Sequence, residues 1–229
     1  MKYFDYDRLT YQPYFGAEHT KPTNYTFTLW IKHRPRDPSD RRIDSAGPST
    51  APPRNHMTEL ILNREHYTRL LAEEVPAARE YLWIATADLK DLHVAQRKQF
   101  VPFLSVLAGL VARGVYVRLM HAKEPGPRFR EDFDRHPELI ESDLFERVLC
   151  PRLHTKALII DGLKAYIGSA NMTGAGIGAK NDHRRNFEAG VLTDDPKIVQ
   201  PLMEELDALW IGQHCAACQR RSVCPDPIA

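Results

Sequence analysis

Residues 154–171 read HTKALIIDGLKAYIGSAN, and the way this stretch folds decides what must surround it. Two short apolar runs flank Asp161-Gly162, a dipeptide suited to the tight turn of a β-hairpin. Side chains alternate across a strand, so His154 and Lys156, two residues apart, project from one face, and Leu158 and Ile160 continue that face towards the turn. The returning strand then brings Gly168, Ser169 and Asn171 back beside the histidine. The small Gly-Ser pair permits close approach of backbone to a ligand.

Imidazole, ammonium, hydroxyl and carboxamide around one point are the groups that attack on a phosphodiester requires. The histidine supplies a nucleophile, and the lysine and asparagine stabilise charge on the non-bridging oxygens. Any one of these residues alone reads as polar punctuation of an ordinary hairpin. Together they form HxKx4Dx6GSxN, and six specified positions at roughly 5% usage each coincide by chance at a given start on the order of 10⁻⁸.

The segments around this hairpin define an α/β protein. The spacing predicts a helix over 63–80, a strand at 81–89 (YLWIATADL), a helix over 99–114 ending at Gly114, and a strand at 115–122 (VYVRLMHA). That is a βαβ unit, which places both strands in one mostly parallel sheet flanked by helices. A charged helical stretch over 128–140 follows. RVLC at 147–150 leads into the hairpin, and a Gly-rich loop then leads to a strand at 187–193. The last amphipathic helix, at 196–210, can place Ile198, Leu202, Leu206, Leu209 and Trp210 on one face. There is no internal repeat.

The 229-residue chain carries a formal net charge of +1, so any nucleic-acid footprint must be local rather than a field of the whole molecule. No run approaches the roughly 18 apolar residues needed to cross a bilayer, and the start, MKYFDYDRLT, lacks the apolar core of a secretory signal. A cytoplasmic location is expected. Residues 1–56 are rich in Pro, Arg, Asp and Ser without sustained period, and are expected to form no core of their own. They read as a tag, a misassigned start ahead of Met57, or a natural arm in which residues 24–32 (NYTFTLWIK) form one edge strand.

At His154, Lys156, Asp161, Gly168, Ser169 and Asn171 the sequence resembles the HKD motif of the phospholipase D superfamily without departure, the strand order from about Met57 to Trp210 is also similar, and a catalytic domain over 57–212 is expected. The resemblance implies a phosphodiesterase acting through a covalent phosphohistidine, with no metal in catalysis. It also implies that Glu188, on the strand after the motif, orients the catalytic histidine. Asp161, at the turn, is expected to support the site rather than touch phosphate. Two motifs are needed for the two proton transfers and this chain has one. Single-motif members of the superfamily complete the site by pairing two chains, so a homodimer with both His154 imidazoles near a twofold axis is expected.

Lys180, His183, Arg184 and Arg185 follow the motif directly and suit phosphates flanking the scissile one, which favours a nuclease. A lipid phosphodiesterase or phosphatidyltransferase, and a module that binds nucleic-acid ends without turnover, use the same pocket. Arg118, His121, Lys123, Asp88 and His93 fall near predicted strand ends and receive no role. Of the four cysteines, Cys215, Cys218 and Cys224 crowd residues 213–229, and Cys150 stands just ahead of the motif. Their spacing suits a structural metal, either zinc on four thiolates or a 4Fe-4S cluster, with Cys150 as fourth ligand in preference to His214.

Overall fold

The computed structural model describes residues 3–5, 10–12, 55–90, 92–96 and 99–228. Near the start, β1 (Tyr3–Asp5) and β2 (Thr10–Gln12) pair antiparallel. The edge strand expected at 24–32 lies outside the described residues.

The central hairpin forms as its sequence requires. β9 (Ala157–Ile160) and β10 (Lys164–Gly168) pair antiparallel, with Ile167 opposite Ala157 and Lys164 opposite Ile160. Asp161 and Gly162 both adopt positive φ, 54° and 65°, and the Leu163 N–H closes the turn on the Ile160 carbonyl at 3.0 Å. All four β9 residues are buried, because this strand lies mid-sheet with helices on both faces. Leu158 and Ile159 are each 0% exposed, and burying such a side chain stabilises the fold by roughly 1.5–3 kcal/mol.

The βαβ unit also forms. β4 (Tyr81–Thr86) and β7 (Tyr116–His121) run parallel with Tyr81 opposite Tyr116, and α2 (Phe103–Ala112) crosses between them. Gly114, at φ 85°, ends that helix. Its N–H bonds the Val111 carbonyl and the Val115 N–H reaches back to Leu110, which is the double bond of a Schellman cap. The helix starts later than its apolar pattern suggests. Gln99–Pro102 is instead β6, paired with β5 (His93–Gln96), because Pro102 lacks an N–H and is tolerated ahead of a helix rather than within it.

With β3 (Thr58–Leu62), β8 (Phe145–Leu149) and β11 (Ala189–Thr193), these strands make a seven-stranded sheet in the order β3-β11-β10-β9-β4-β7-β8. Strands β3, β4, β7, β8 and β10 point one way and β9 and β11 the other, so the sheet is mixed with most strands codirectional. β3 carries the outer edge beside β11, a pairing the local sequence does not announce.

One face of the sheet is covered by α1 (His66–Glu74), α2, α3 (Pro127–Phe133) and α4 (Pro137–Glu141), the other by α5 (Pro196–Trp210). The helix expected over 63–80 is thus shorter. It is wound with wide turns, the Val75 N–H reaching Leu70, and it stops before Pro76. The charged stretch over 128–140 divides at Pro137. On α5 the buried residues are Val199, Met203 and Leu206 rather than Ile198, which is 37% exposed, since the helix is rotated to seat its stripe on Ala165 and Ile159. Arg118 pins that helix. Its guanidinium lies 4.8 Å from the rings of both Trp83 and Trp210 and reaches Asp207 at 3.1 Å.

Candidate active site

The site assembles where the start of β9 meets the end of β10. The Gly168 N–H donates to the Lys156 carbonyl at 3.1 Å, which sets Gly168 and Ser169 against the His154-Thr155-Lys156 segment. His154 precedes the ladder and its side chain is exposed, whereas Lys156 is 7% exposed. The Lys156 Nζ donates to the His154 carbonyl at 2.6 Å and stands 3.2 Å from both imidazole nitrogens. Equidistance from the two nitrogens aligns the ammonium with neither ring lone pair, so its influence on the ring is electrostatic. Burial holds the lysine below its ordinary pKa, and the negative charge of Glu188 partly opposes that shift.

Asn171 is fixed by contacts at the end of β4. Its Oδ1 accepts from the Asp88 N–H at 3.0 Å and from the Thr86 hydroxyl at 3.3 Å. With the carbonyl oxygen engaged, the Nδ2 protons remain for a ligand. Asp88 also pairs with Lys123 at 3.1 Å and Lys90 at 3.4 Å, so two exposed cations gather around the Asn171 anchor. Thr86 and Asp88 were legible only as residues at the carboxyl end of a parallel strand, the usual location for ligand contacts.

Glu188 lies across β10 from Lys156, but its carboxylate does not hydrogen-bond to His154. One oxygen accepts from the Ser169 hydroxyl in a very short bond, and the other accepts from Asn186 Nδ2 at 3.0 Å. The negative charge of Glu188 acts on Lys156, whose pKa it holds up against burial. Ser169 is further tied to β11, its hydroxyl receiving the Ala189 N–H at 3.1 Å. Gly168 is demanded by the sheet itself. A Cβ there would stand 2.7 Å from both the Ala189 carbonyl and the Gly190 Cα, and against the Tyr166 hydroxyl.

Asp161 sits at the opposite end of β9 from His154. Its carboxylate accepts the backbone N–H groups of Arg79, Glu80 and Tyr81 at 2.8–3.1 Å, fixing the entry to β4. Removing the carboxylate leaves those donors without their acceptor. Asp161→Ala is therefore expected to lower unfolding free energy by about 2–3 kcal/mol in urea titrations, with kcat within about threefold of the parent.

The four basic side chains of the loop are not equivalent. Arg185 is committed to Asp182 at 2.7 Å, while Lys180, His183 and Arg184 are exposed. In the C-terminal segment, Cys224 contacts the Leu149 carbonyl at 3.9 Å and lies within electrostatic range of Cys150 and Cys215, whereas Cys218 interacts with Arg152. Among the described residues no three His, Cys, Asp or Glu side chains converge to hold a metal ion.

A family model described as "Cardiolipin synthase, PLD-like domain" matches residues 71–210. No curated protein matches the sequence. Among solved structures, the chain is similar to the phospholipase D family member Nuc from Salmonella typhimurium, at 16% identity and a TM-score of 0.51, covering 68% of this chain and 95% of that one. It is also similar to phosphatidylserine synthase from Haemophilus influenzae, at 16% identity and TM-score 0.50, over 71% of this chain and 40% of that one. NucT from Helicobacter pylori matches at 16% identity and TM-score 0.49, over 66% of this chain and 93% of that one. Among the described residues no helix is long and apolar enough to cross a membrane.

Proposed function

The chain belongs to the family of phospholipase D-like domains, and on that premise we propose that it is a nuclease whose active site is completed by a second copy of itself. The observation that carries this reading is an exposed imidazole, His154, backed by a buried ammonium, Lys156, with the Asn171 amide presented by Thr86 and Asp88. The His154 nitrogen attacks phosphorus and forms a P–N bond as the P–O bond to the leaving group breaks. The partner subunit's His154 protonates that oxygen and then takes a proton from water, whose oxygen displaces the imidazole. Lys156 and Asn171 stabilise the non-bridging oxygens throughout.

The choice of nucleic acid is supported by what flanks this centre. Lys90 and Lys123, with side chains 61% and 66% exposed, gather beside Asn171, and Lys180 and Arg184 project from the loop after the motif. Nucleic acids present phosphates on both sides of the scissile one and engage such cations; a lone head-group ester does not. Incubating the protein in EDTA with single-stranded DNA, double-stranded DNA, RNA and phosphatidylcholine vesicles tests this. Cleavage of a nucleic acid is expected. Head-group release alone overturns the assignment in favour of a lipid enzyme, and nucleic-acid binding without cleavage leaves an end-binding module.

The second copy is supported by an apolar strip adjoining Ser169. Leu60, Val191 and Ile167 are directly paired across β3, β11 and β10 and so share a face, and Leu62 extends it beside Ala189. α5 covers the neighbouring Ala165 but leaves Leu60 65%, Leu62 43% and Ile167 40% exposed, and Phe187 beyond them is 91% exposed. Sedimentation is expected to give a dimer. Leu60→Asp with Ile167→Asp is expected to yield a folded monomer with turnover reduced at least about 100-fold. A wild-type monomer that cleaves diesters overturns the shared site.

A further inference from the structure

Glu188 is held from beneath by a residue that motif reading does not single out. Asn63 follows β3 at φ 49°, a left-handed conformation that non-glycine residues rarely occupy and that asparagine tolerates best. Its amide oxygen accepts the Glu188 N–H at 3.1 Å, and its own N–H donates to the Glu188 carbonyl at 2.8 Å. Both backbone groups of Glu188 are thus clamped by one residue. In this left-handed turn the Asn63 main chain and side chain hold the two peptide groups that flank the Glu188 Cα.

Asn63 is itself fixed. Its carbonyl contacts His66 Nδ1 at 2.8 Å, and because a carbonyl only accepts, that nitrogen carries the proton. His66 is 0% exposed, stands edge-on to the Tyr166 ring at 5.4 Å between centroids, and its Nε2 has no hydrogen-bond partner among the described residues. From the other side, Gly178, at φ 80°, approaches so closely that a Cβ would lie 2.8 Å from the Asn63 carbonyl oxygen. The loop following the motif is therefore packed onto the same residue.

From this geometry we propose that Asn63 is a positioning residue of the active site, seated by His66, which fixes the backbone at Glu188 and so holds its carboxylate on Ser169 and within reach of Lys156. The proposal rests on the reading that Glu188 serves catalysis. A glutamate at the mouth of an exposed site, free to rotate about its backbone, would leave Ser169 and withdraw its negative charge from the buried Lys156 ammonium that faces His154. Asn63 touches no substrate and acts only through Glu188.

Asn63→Gly isolates this function, since glycine keeps the left-handed turn and the peptide N–H but removes the amide oxygen. With bis(p-nitrophenyl) phosphate as probe, the variant is expected to lose about 10- to 100-fold in kcat with KM within about twofold. Amide hydrogen exchange over 186–190 is expected to quicken while the melting temperature moves by only a few degrees. Asn63→Asp, which retains an acceptor oxygen, is expected to recover most of the rate. In a Glu188→Gln background, Asn63→Gly is expected to cost little more, because both changes act on one path.

Unchanged kcat in Asn63→Gly with reduced kcat in Glu188→Gln overturns the positioning alone. Unchanged kcat in Glu188→Gln overturns the role of Glu188 and the proposal with it. Full additivity of the two losses, or unaltered exchange at 186–190, also overturns it.

Discussion

His154→Ala is expected to reduce diester turnover by at least about 10⁴-fold while the protein melts within about 2 °C of the parent. The asymmetry follows from placement. The imidazole is exposed, precedes the β9 ladder, and packs in neither face of the core, so its removal opens no cavity. Chemically it has no substitute nearby, since the buried Lys156 ammonium that faces it carries no free electron pair while protonated. Single-turnover assays with acid-stable and acid-labile phosphate quantified separately provide the sharper measurement. The parent is expected to accumulate an acid-labile phosphoprotein and the variant none. Undiminished turnover in His154→Ala removes the nucleophile from the scheme and the scheme with it.

Gly168→Ala is expected to do the reverse, losing activity because it loses structure. A methyl group at that position would meet backbone, the Ala189 carbonyl oxygen and the Gly190 Cα at 2.7 Å, and also the hydroxyl of the fully buried Tyr166. A flexible side chain can move aside, but a neighbouring strand cannot without breaking its ladder. The cost is expected to be about 3 kcal/mol, and a domain of this size then melts about 6–12 °C lower. Calorimetry measures it, and a melting temperature unchanged within 2 °C refutes the strand-crowding account. In this pair of variants, Gly168 separates from the polar members of the motif. Its smallness serves the β10–β11 contact.

The polar motif was legible because its chemistry and its geometry share one local signal. Residues two apart on a strand face the same way, and an Asp-Gly turn returns the chain, so the meeting of His154, Lys156, Gly168 and Ser169 requires only hairpin geometry. The βαβ unit and the end of α2 at Gly114 were legible for the same reason, being nearest-neighbour consequences of period and capping. Asp161 is expected from the sequence to support the site rather than touch phosphate, and its carboxylate binds three backbone amides some 80 residues away in sequence, at Arg79, Glu80 and Tyr81, at the end of β9 opposite His154.

What lay beyond the sequence were contacts whose partners are distant along the chain. The pairing of β3 with β11 creates the Asn63 clamp on Glu188, and β4 meeting the segment after β10 supplies Thr86 and Asp88 to Asn171. The same long-range packing redirects single side chains. Glu188 turns to Ser169 and Asn186, and Arg185 is paired with Asp182. The reactive groups and the hairpin that gathers them are readable within some eighteen residues, and the α/β class in the alternating helix and strand periods around them, because each depends on local alternation, period and turn chemistry. Only the tertiary structure decided which neighbours hold each reactive group and where the apolar strip lies uncovered. Those outcomes depend on which strands become adjacent, and adjacency is set by burial across the whole sheet rather than by any local pattern.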